Sequence, residues 1–493
     1  MEFSISYYCF TLFALIISII IYMKLTKKQT SKNLPPGPPK LPLIGNLHQL
    51  AYKTTLPHHR LAELARVYGP IMHLRLGEVS TVVISSPEMA KEVMKTHDSV
   101  MCDRPEILVP KVVLHNCSDI AMAPYGEYWR QVRKIATVEL FTGRRIQAFR
   151  GSRQEGVMDF IKSLVTQAKD GSVVNLTAKI FALTFDLTLR MAINKKSNEG
   201  EEFRKLVTDI AAMTSGFSIG DLYPSQKFIS IILRTKSKLQ ELVNRLDRIM
   251  DPIIEEHLHD KRKAKKRETW LIFFLNFTRM KFIIAKTFPS ELFSAGGETS
   301  STLIDWTICE LLKNPEVMKK AQNEVRSVLQ GKQLMIEEAS LDKLKYLKLV
   351  VKETLRLHSP LPCLVPRESI KSCEINGYEI PSKTRVFINA WAIGRDSRYW
   401  KDPEMFNPER FEGSSIDYKG AHFELIPFGA GRRMCPGMGL GIATVELVLA
   451  MLLYHFDWKL TQDDLDMEET FGIVGRRKND LHVIPVHNSI SGF

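Results

Sequence analysis

A chain of 493 residues with 44% hydrophobic and 25% charged residues can bury a large core, and no stretch is polar enough to stay disordered. Its formal net charge of +13 suits an anionic membrane surface, an acidic partner protein or nucleic acid, but no nucleic-acid-binding motif is present, so the last is set aside. Seven cysteines with no C-x-x-C pair argue against a disulfide framework or a zinc ribbon and predict reduced thiols.

In chain order, residues 3–23 carry no charged side chain. At about 1.5 Å per residue, a helix of that length spans a hydrocarbon core roughly 30 Å thick. The only earlier charge is Glu2, whereas Lys24, Lys27, Lys28 and Lys32 follow the run. Residues 1–23 therefore predict an uncleaved single-pass anchor with the rest of the chain in the cytosol. Residues 24–40 form a basic, Pro-rich hinge, where Pro35-Pro36-Gly37-Pro38-Pro39 fixes φ and removes amide donors, giving a stiff spacer. The remainder, 41–493, reads as one body. Short strands at Ile71–Leu76 and Val79–Ile84 join through Gly77, and residues 88–97 follow with a helical pattern. Helical periodicity then dominates from Trp129 to Leu357, including 203–212, 236–259 and 316–329, and strand signals return over 374–380 and 384–389. The basic cluster at 261–267 reads as a solvated loop. The fold class is mainly α with a small β region.

Several local patterns carry chemistry. In Phe428-Gly429-Ala430-Gly431-Arg432-Arg433-Met434-Cys435-Pro436-Gly437, glycines let the backbone turn tightly and aim amide hydrogens at the cysteine sulfur. Residues 440–453 read as a helix whose positive end faces it. A lone cysteine is most often a small buried hydrophobe, but the full F-x-x-G-x-R-x-C-x-G spacing points to a metal-binding thiolate. Glu353 and Arg356 share one face of the helix read over 344–357, which alone would be a surface ion pair. Pro408-Glu409-Arg410-Phe411 lies downstream, and Trp129 and Arg133 share a helix face upstream. Ala295-Gly296-Gly297-Glu298-Thr299-Ser300 would in isolation be a flexible glycine-rich turn.

Taken together and in this order, these motifs resemble the cytochrome P450 superfamily from the hinge to about Pro485. The hinge, the F-N-P-E-R-F form and the P-F-G-x-G-R-R-x-C-P-G form resemble its plant microsomal A-type group, most of all the terpenoid-oxidising branch. That branch also contains alkaloid hydroxylases and a fatty-acid epoxidase. The resemblance implies the P450 fold on an N-terminal transmembrane anchor, at the endoplasmic reticulum membrane. It implies haem b, with Cys435 as the iron ligand and Trp129, Arg133, Arg367 and Arg433 binding the propionates. Glu353, Arg356 and Arg410 would form a structural charge triad, and Glu298 and Thr299 would deliver protons. The expected activity is insertion of one oxygen atom from O₂ into an apolar small molecule. Terpenoids (diterpene or sesquiterpene) rank first, ahead of alkaloids and fatty acids. Electrons would come from NADPH through NADPH-cytochrome P450 reductase. The rivals are a haem-binding but catalytically impaired paralogue and an oxygen-independent isomerase, the latter disfavoured by the Glu298–Thr299 pair.

Residues 269–289 depart from the resemblance. An acidic amphipathic segment is expected there, but the chain reads Trp270-Leu271-Ile272-Phe273-Phe274-Leu275, too short to span a membrane, and Pro289 would break a helix just before Ala295. The abrupt return of matching sequence near Ser290 motivates the hypothesis of a locally shifted reading frame or a gene-model error. Resequencing the transcript tests this, and a clean read through the same segment contradicts it.

Overall fold

The computed structural model describes residues 33–51, 55–193, 235–259, 293–330, 338–461, 465–470 and 472–488, with scattered positions in 11–18 and 202–225, Trp270 and Glu291. Most of the expected anchor, the 203–212 helix, the 261–267 cluster and the atypical 269–289 segment therefore lie outside the described residues. Of the anchor, Thr11, Phe13, Ala14, Leu15, Ile17 and Ser18 are described, all helical and exposed.

The β region gathers early and late segments. β1 (Ile71–Leu76) and β2 (Val79–Ile84) form an antiparallel hairpin, turning at Gly77 with φ +61°. A Cβ there would meet the Leu222 carbonyl oxygen at 2.6 Å, so glycine is required by both conformation and space. After the two-residue β3 (Val174–Asn175) and β4 (Arg367–Glu368), the segment read as one strand over 374–380 is instead a hairpin. Its strands are β5 (Cys373–Ile375) and β6 (Tyr378–Ile380), because Asn376 and Gly377 both adopt positive φ. β7 (Arg385–Ile388) runs parallel to β2 and antiparallel to β4, giving the sheet order β1-β2-β7-β4. β8 (Phe456–Leu460) and β9 (His482–His487) complete a second sheet with β3.

Helices form the larger layer. Those that position the site are α1 (Pro57–Tyr68), α2 (Glu127–Ile135), α3 (Arg150–Lys169), α4 (Leu176–Ile193), α5 (Thr235–His259), α6 (Glu298–Lys313), α7 (Pro315–Leu329), α8 (Lys345–Leu357) and α9 (Met438–His455). The pattern over 88–97 resolves into a short helix, Pro87–Lys91, capped by Ser86, and a π-turn over Glu92–Thr96. α6 and α9 cross the centre. α9 is the one helix among the described residues long and apolar enough to cross a membrane, but 72% of it is buried, which makes it the core helix. α6 buries even its polar residues: Thr307 donates to the Leu303 carbonyl at 2.6 Å, and Trp306 donates to the Gly475 carbonyl at 2.8 Å. Asn314 and Pro315 end it. At its start a π-turn, Phe293–Gly297, inserts one residue into the helical ladder, the local rule-breaking that helices show at functional sites.

α8 brings Glu353, Arg356 and Arg410 together. Arg356 donates to both Glu353 carboxylate oxygens at 2.7 and 2.8 Å, and Arg410 donates to Glu353 at 2.9 Å. The remaining guanidinium donors reach carbonyls of Gly394, Pro403, Met405, Lys401 and Asp402. Every group in this buried network is satisfied, so removing one charge strands the others. Glu353→Ala is expected to cost roughly 3–5 kcal/mol, measured by chemical denaturation against the exposed control Glu412→Ala. A loss no greater than the control's would contradict this.

Candidate functional site

Cys435 lies on the loop between a 3₁₀ turn at Gly431–Arg433 and the start of α9. Its N–H donates to the Phe428 carbonyl at 2.9 Å, closing the loop on itself. Gly429 and Gly431 take φ of +67° and +68°, which fold the chain back before the cysteine. Asp98 holds the loop from outside. It accepts from the Arg432 N–H at 2.9 Å and from Arg367 at 2.8 Å, so one carboxylate ties the loop to β4. Cys435 is exposed, and the surface it exposes lines an interior cavity that lies within the protein. Burial pushes its pKa up, while the N–H groups of Gly437 and Met438 and the Arg133 guanidinium pull it down. The sulfur is thus set to carry negative charge once a cation faces it.

That cavity, about 260 Å³, is also lined by Arg104, Arg133, Arg367 and Arg433. Arg367 is paired with Asp98. The hydrogen bonds described for the other three all end on carbonyls: Arg104 on Ala121, Val365 and Pro366, Arg133 on Met434, and Arg433 on Cys102, Ile120 and Ala123. Burial pushes the Arg433 pKa down to about 10 and lowers that of Arg104 as well, with neighbouring guanidinium groups adding to the effect. So much buried positive charge beside a cavity calls for an anionic ligand. A thiol on one side and guanidinium groups at the edge are the donor set that an iron porphyrin with two carboxylates requires, so the residues present fit haem.

Across the cavity, Ala295, Gly296 and Thr299 supply small side chains from the π-turn and α6. Thr299 donates to the Ala295 carbonyl at 2.6 Å, leaving its oxygen lone pairs available at the cavity wall. Glu298 is 8% exposed, and burial raises its pKa despite Arg476, whose Nε lies 3.5 Å from the carboxylate. A second cavity of about 280 Å³ adjoins the first, sharing Glu291, Ala295 and Thr299 as its border. Its walls are mostly aliphatic: Val109, Pro110, Val113 and Leu114 from the segment before α2, Ile210, Leu361 to Val365, and the turn Gly472 to Val474.

Trp129 is not among the residues that line the cavity, and it donates its indole N–H to the Ile120 carbonyl at 2.9 Å. Its ring lies 4.2 Å from the Arg433 guanidinium. A buried indole N–H needs a partner, and the neighbouring backbone supplies it. Sequence reasoning missed Arg104, whose only neighbouring signal is Pro105. It also missed Glu291, whose carboxylate accepts from the N–H groups of Ile120 and Ala121 at 2.9 and 2.8 Å. Burial, then Asp119, raises the Glu291 pKa to about 8. Its position one helical turn before Ala295 was the available clue. Of the atypical segment, Trp270 is described: it is buried against Phe141 and Phe149 and lines the thiol cavity.

Comparison with known proteins adds the following. The family model described as Cytochrome P450 matches residues 35–484. The chain is 46% identical to Cytochrome P450 71D8 of Glycine max, covering 94% of this chain and 95% of that one. It is 44% identical to Tabersonine 16-hydroxylase 1 of Catharanthus roseus (98% and 99% covered) and 46% identical to a melianol synthase of Citrus sinensis (96% and 94%). Among solved structures, a zebra fish cytochrome P450 with abiraterone superposes with a TM-score of 0.72 at 23% identity, over 88% of this chain and 100% of that one.

The loop geometry yields a direct test. A Cβ on Gly431 would meet the Met94 carbonyl oxygen at 2.2 Å and the Asp98 carboxyl carbon at 2.9 Å. Gly413 has φ of +69° but open space around it. Gly431→Ala should therefore lower stability by about 1–3 kcal/mol beyond Gly413→Ala, read from melting temperatures. Equal losses would show that the contacts with Met94 and Asp98 do not constrain the loop.

Proposed function

Because the chain belongs to the cytochrome P450 family, within its plant A-type group of monooxygenases, we propose that it inserts one oxygen atom from O₂ into an apolar terpenoid. Electrons come from NADPH through a membrane-bound reductase, and residues 1–23 anchor the protein in the endoplasmic reticulum membrane. The observation that carries this reading is a pair of adjoining cavities: one holds a thiol ringed by guanidinium groups, three of which (Arg104, Arg133 and Arg433) hydrogen-bond carbonyls rather than carboxylates, and it shares Thr299 as a wall with an aliphatic cavity.

Cys435 would hold the haem iron through its sulfur, and Arg104, Arg133, Arg367 and Arg433 would hold the propionates as charge-assisted donors. When bound, haem supplies the activation of dioxygen and the transfer of one oxygen atom to a C–H bond. The chain's own groups do the rest. Glu298, whose pKa burial raises and which adjoins the partly exposed Arg476, can carry a proton at the wall of the aliphatic cavity, next to the shared border residue Thr299. Thr299 has a hydroxyl that can pass that proton into the cavity. The aliphatic walls orient an apolar substrate and exclude water, which would otherwise compete for those protons. Melianol synthases among the relatives favour a terpenoid, and tabersonine hydroxylases keep an alkaloid next in rank.

Turnover of the full chain with reductase, NADPH and a panel of cyclic terpenes tests the reading. Product should require NADPH and O₂, and Glu298→Gln and Thr299→Ala should each lower product per NADPH by at least roughly tenfold. Because the Glu298 pKa is raised, the proton donor is present below that pKa and lost as pH rises through it. Product per NADPH should therefore fall on the alkaline side, and Glu298→Gln should lack that limb. NADPH consumption without product from any substrate would favour the impaired paralogue, and product without NADPH an isomerase.

A further inference from the structure

Away from the thiol, the first turn of α1 and the segment after β8 bring together His58, His59 and Glu469, one ligand atom from each lying within 4.8 Å of the others. His58 Nε2 is 2.7 Å from Glu469 Oε2, and His59 Nε2 is 3.8 Å from the same oxygen. His59 Nε2 is buried and has no hydrogen-bond partner, an uncommon condition for a ring nitrogen that a coordinating ion would relieve. The surroundings hold the rings in place. Asn389 donates to the His58 carbonyl at 2.8 Å, and the His59 ring lies 4.3 Å from that of Trp391. The Glu469 segment is pinned by the bridge to Arg477 and by Thr470 donating to the Arg476 carbonyl.

We infer that His58, His59 and Glu469 form a binding site for a borderline divalent cation, with Zn²⁺ the best match. Two imidazoles and one carboxylate, with a fourth position left to water, are a recurrent zinc donor set, whereas Mg²⁺ and Ca²⁺ call for oxygen ligands throughout. Donors on a tetrahedral zinc stand roughly 3.3 Å apart, since each bond is about 2.0–2.2 Å. The 2.7 Å contact must open and the 3.8 Å contact close, each by side-chain rotation. The nearby cation Arg395 opposes a metal, but its guanidinium is occupied by Glu404 at 3.1 Å and by the Leu357 carbonyl at 2.7 Å. The location gives such a site a consequence. His58 lines the aliphatic cavity, and Glu469 leads into the turn Gly472 to Val474 that lines it too, so zinc would staple two walls of one cavity.

The test is zinc binding to the haem-loaded full chain in detergent, by competition with a chelating indicator, which needs no turnover and keeps Cys435 out of play. The wild type should take up one equivalent. His59→Gln, which sacrifices no hydrogen bond and should fold normally, should weaken binding by more than the roughly 10–100-fold that loss of an outer-shell partner costs. Glu469→Gln should do the same, and the exposed His482→Gln should leave binding unchanged. Absence of an equivalent of zinc on the wild type, or wild-type affinity in His59→Gln, would overturn the assignment.

Discussion

A guanidinium removed from water must find an anion or saturate itself with acceptors, and this chain buries arginines in two clusters that meet that demand differently. Around Glu353 the network is closed: one carboxylate serves Arg356 and Arg410, and carbonyls take the remaining donors. Around the Cys435 cavity it is open. Arg104, Arg133 and Arg433 find carbonyls, which satisfy hydrogen bonds but put no carboxylate in direct contact, so that Asp103, Asp119 and Glu291 offset the charge only from a distance. The first cluster belongs to the fold, and the second is built for something the fold receives.

The surrounding architecture serves that open cluster. Asp98 ties the cysteine loop to β4, where Arg367 stands, so the thiol and one cavity guanidinium share a single anchor. Ile120 and Ala121 sit at a crossing: their N–H groups are held by Glu291, and their carbonyls accept from Trp129, Arg433 and Arg104. The segment before α2 is thereby fixed to the start of α6, and a wall of the aliphatic cavity to the charge cluster. On the far side, Trp306 and Arg476 hold the 472–476 turn against α6 through Gly475 and Glu298. Pocket shape and proton supply consequently depend on the same few tethers.

Much of this was legible in sequence where the determinant is local. The β1–β2 hairpin, α8 and α9 follow from alternation, helical spacing and Gly77, and the spacing of Glu353 and Arg356 placed both on one face. The 373–380 hairpin was blurred into one strand because the strong signal there is the Asn376-Gly377 turn, not the three-residue strands beside it. The π-turns left no mark in periodicity. Arg104 and Glu291 escaped because their roles arise from tertiary meeting: Arg104 reaches carbonyls on the segments around Ala121 and Val365, and Glu291 reaches across to a loop some 170 residues earlier. Trp129 was assigned to the propionates by resemblance; its indole N–H donates to the Ile120 carbonyl, which also accepts from Arg433, and that contact too is tertiary in origin.

The central claim is that the Cys435 sulfur and its guanidinium ring hold haem as a thiolate-ligated iron site. The direct measurement is the CO difference spectrum of the reduced full-length chain in microsomes, beside Cys435→Ala. A strongly red-shifted Soret band in the wild type, lost in Cys435→Ala, is the predicted result. A well-expressed wild type without that band, or a Cys435→Ala chain that keeps it, would contradict the account.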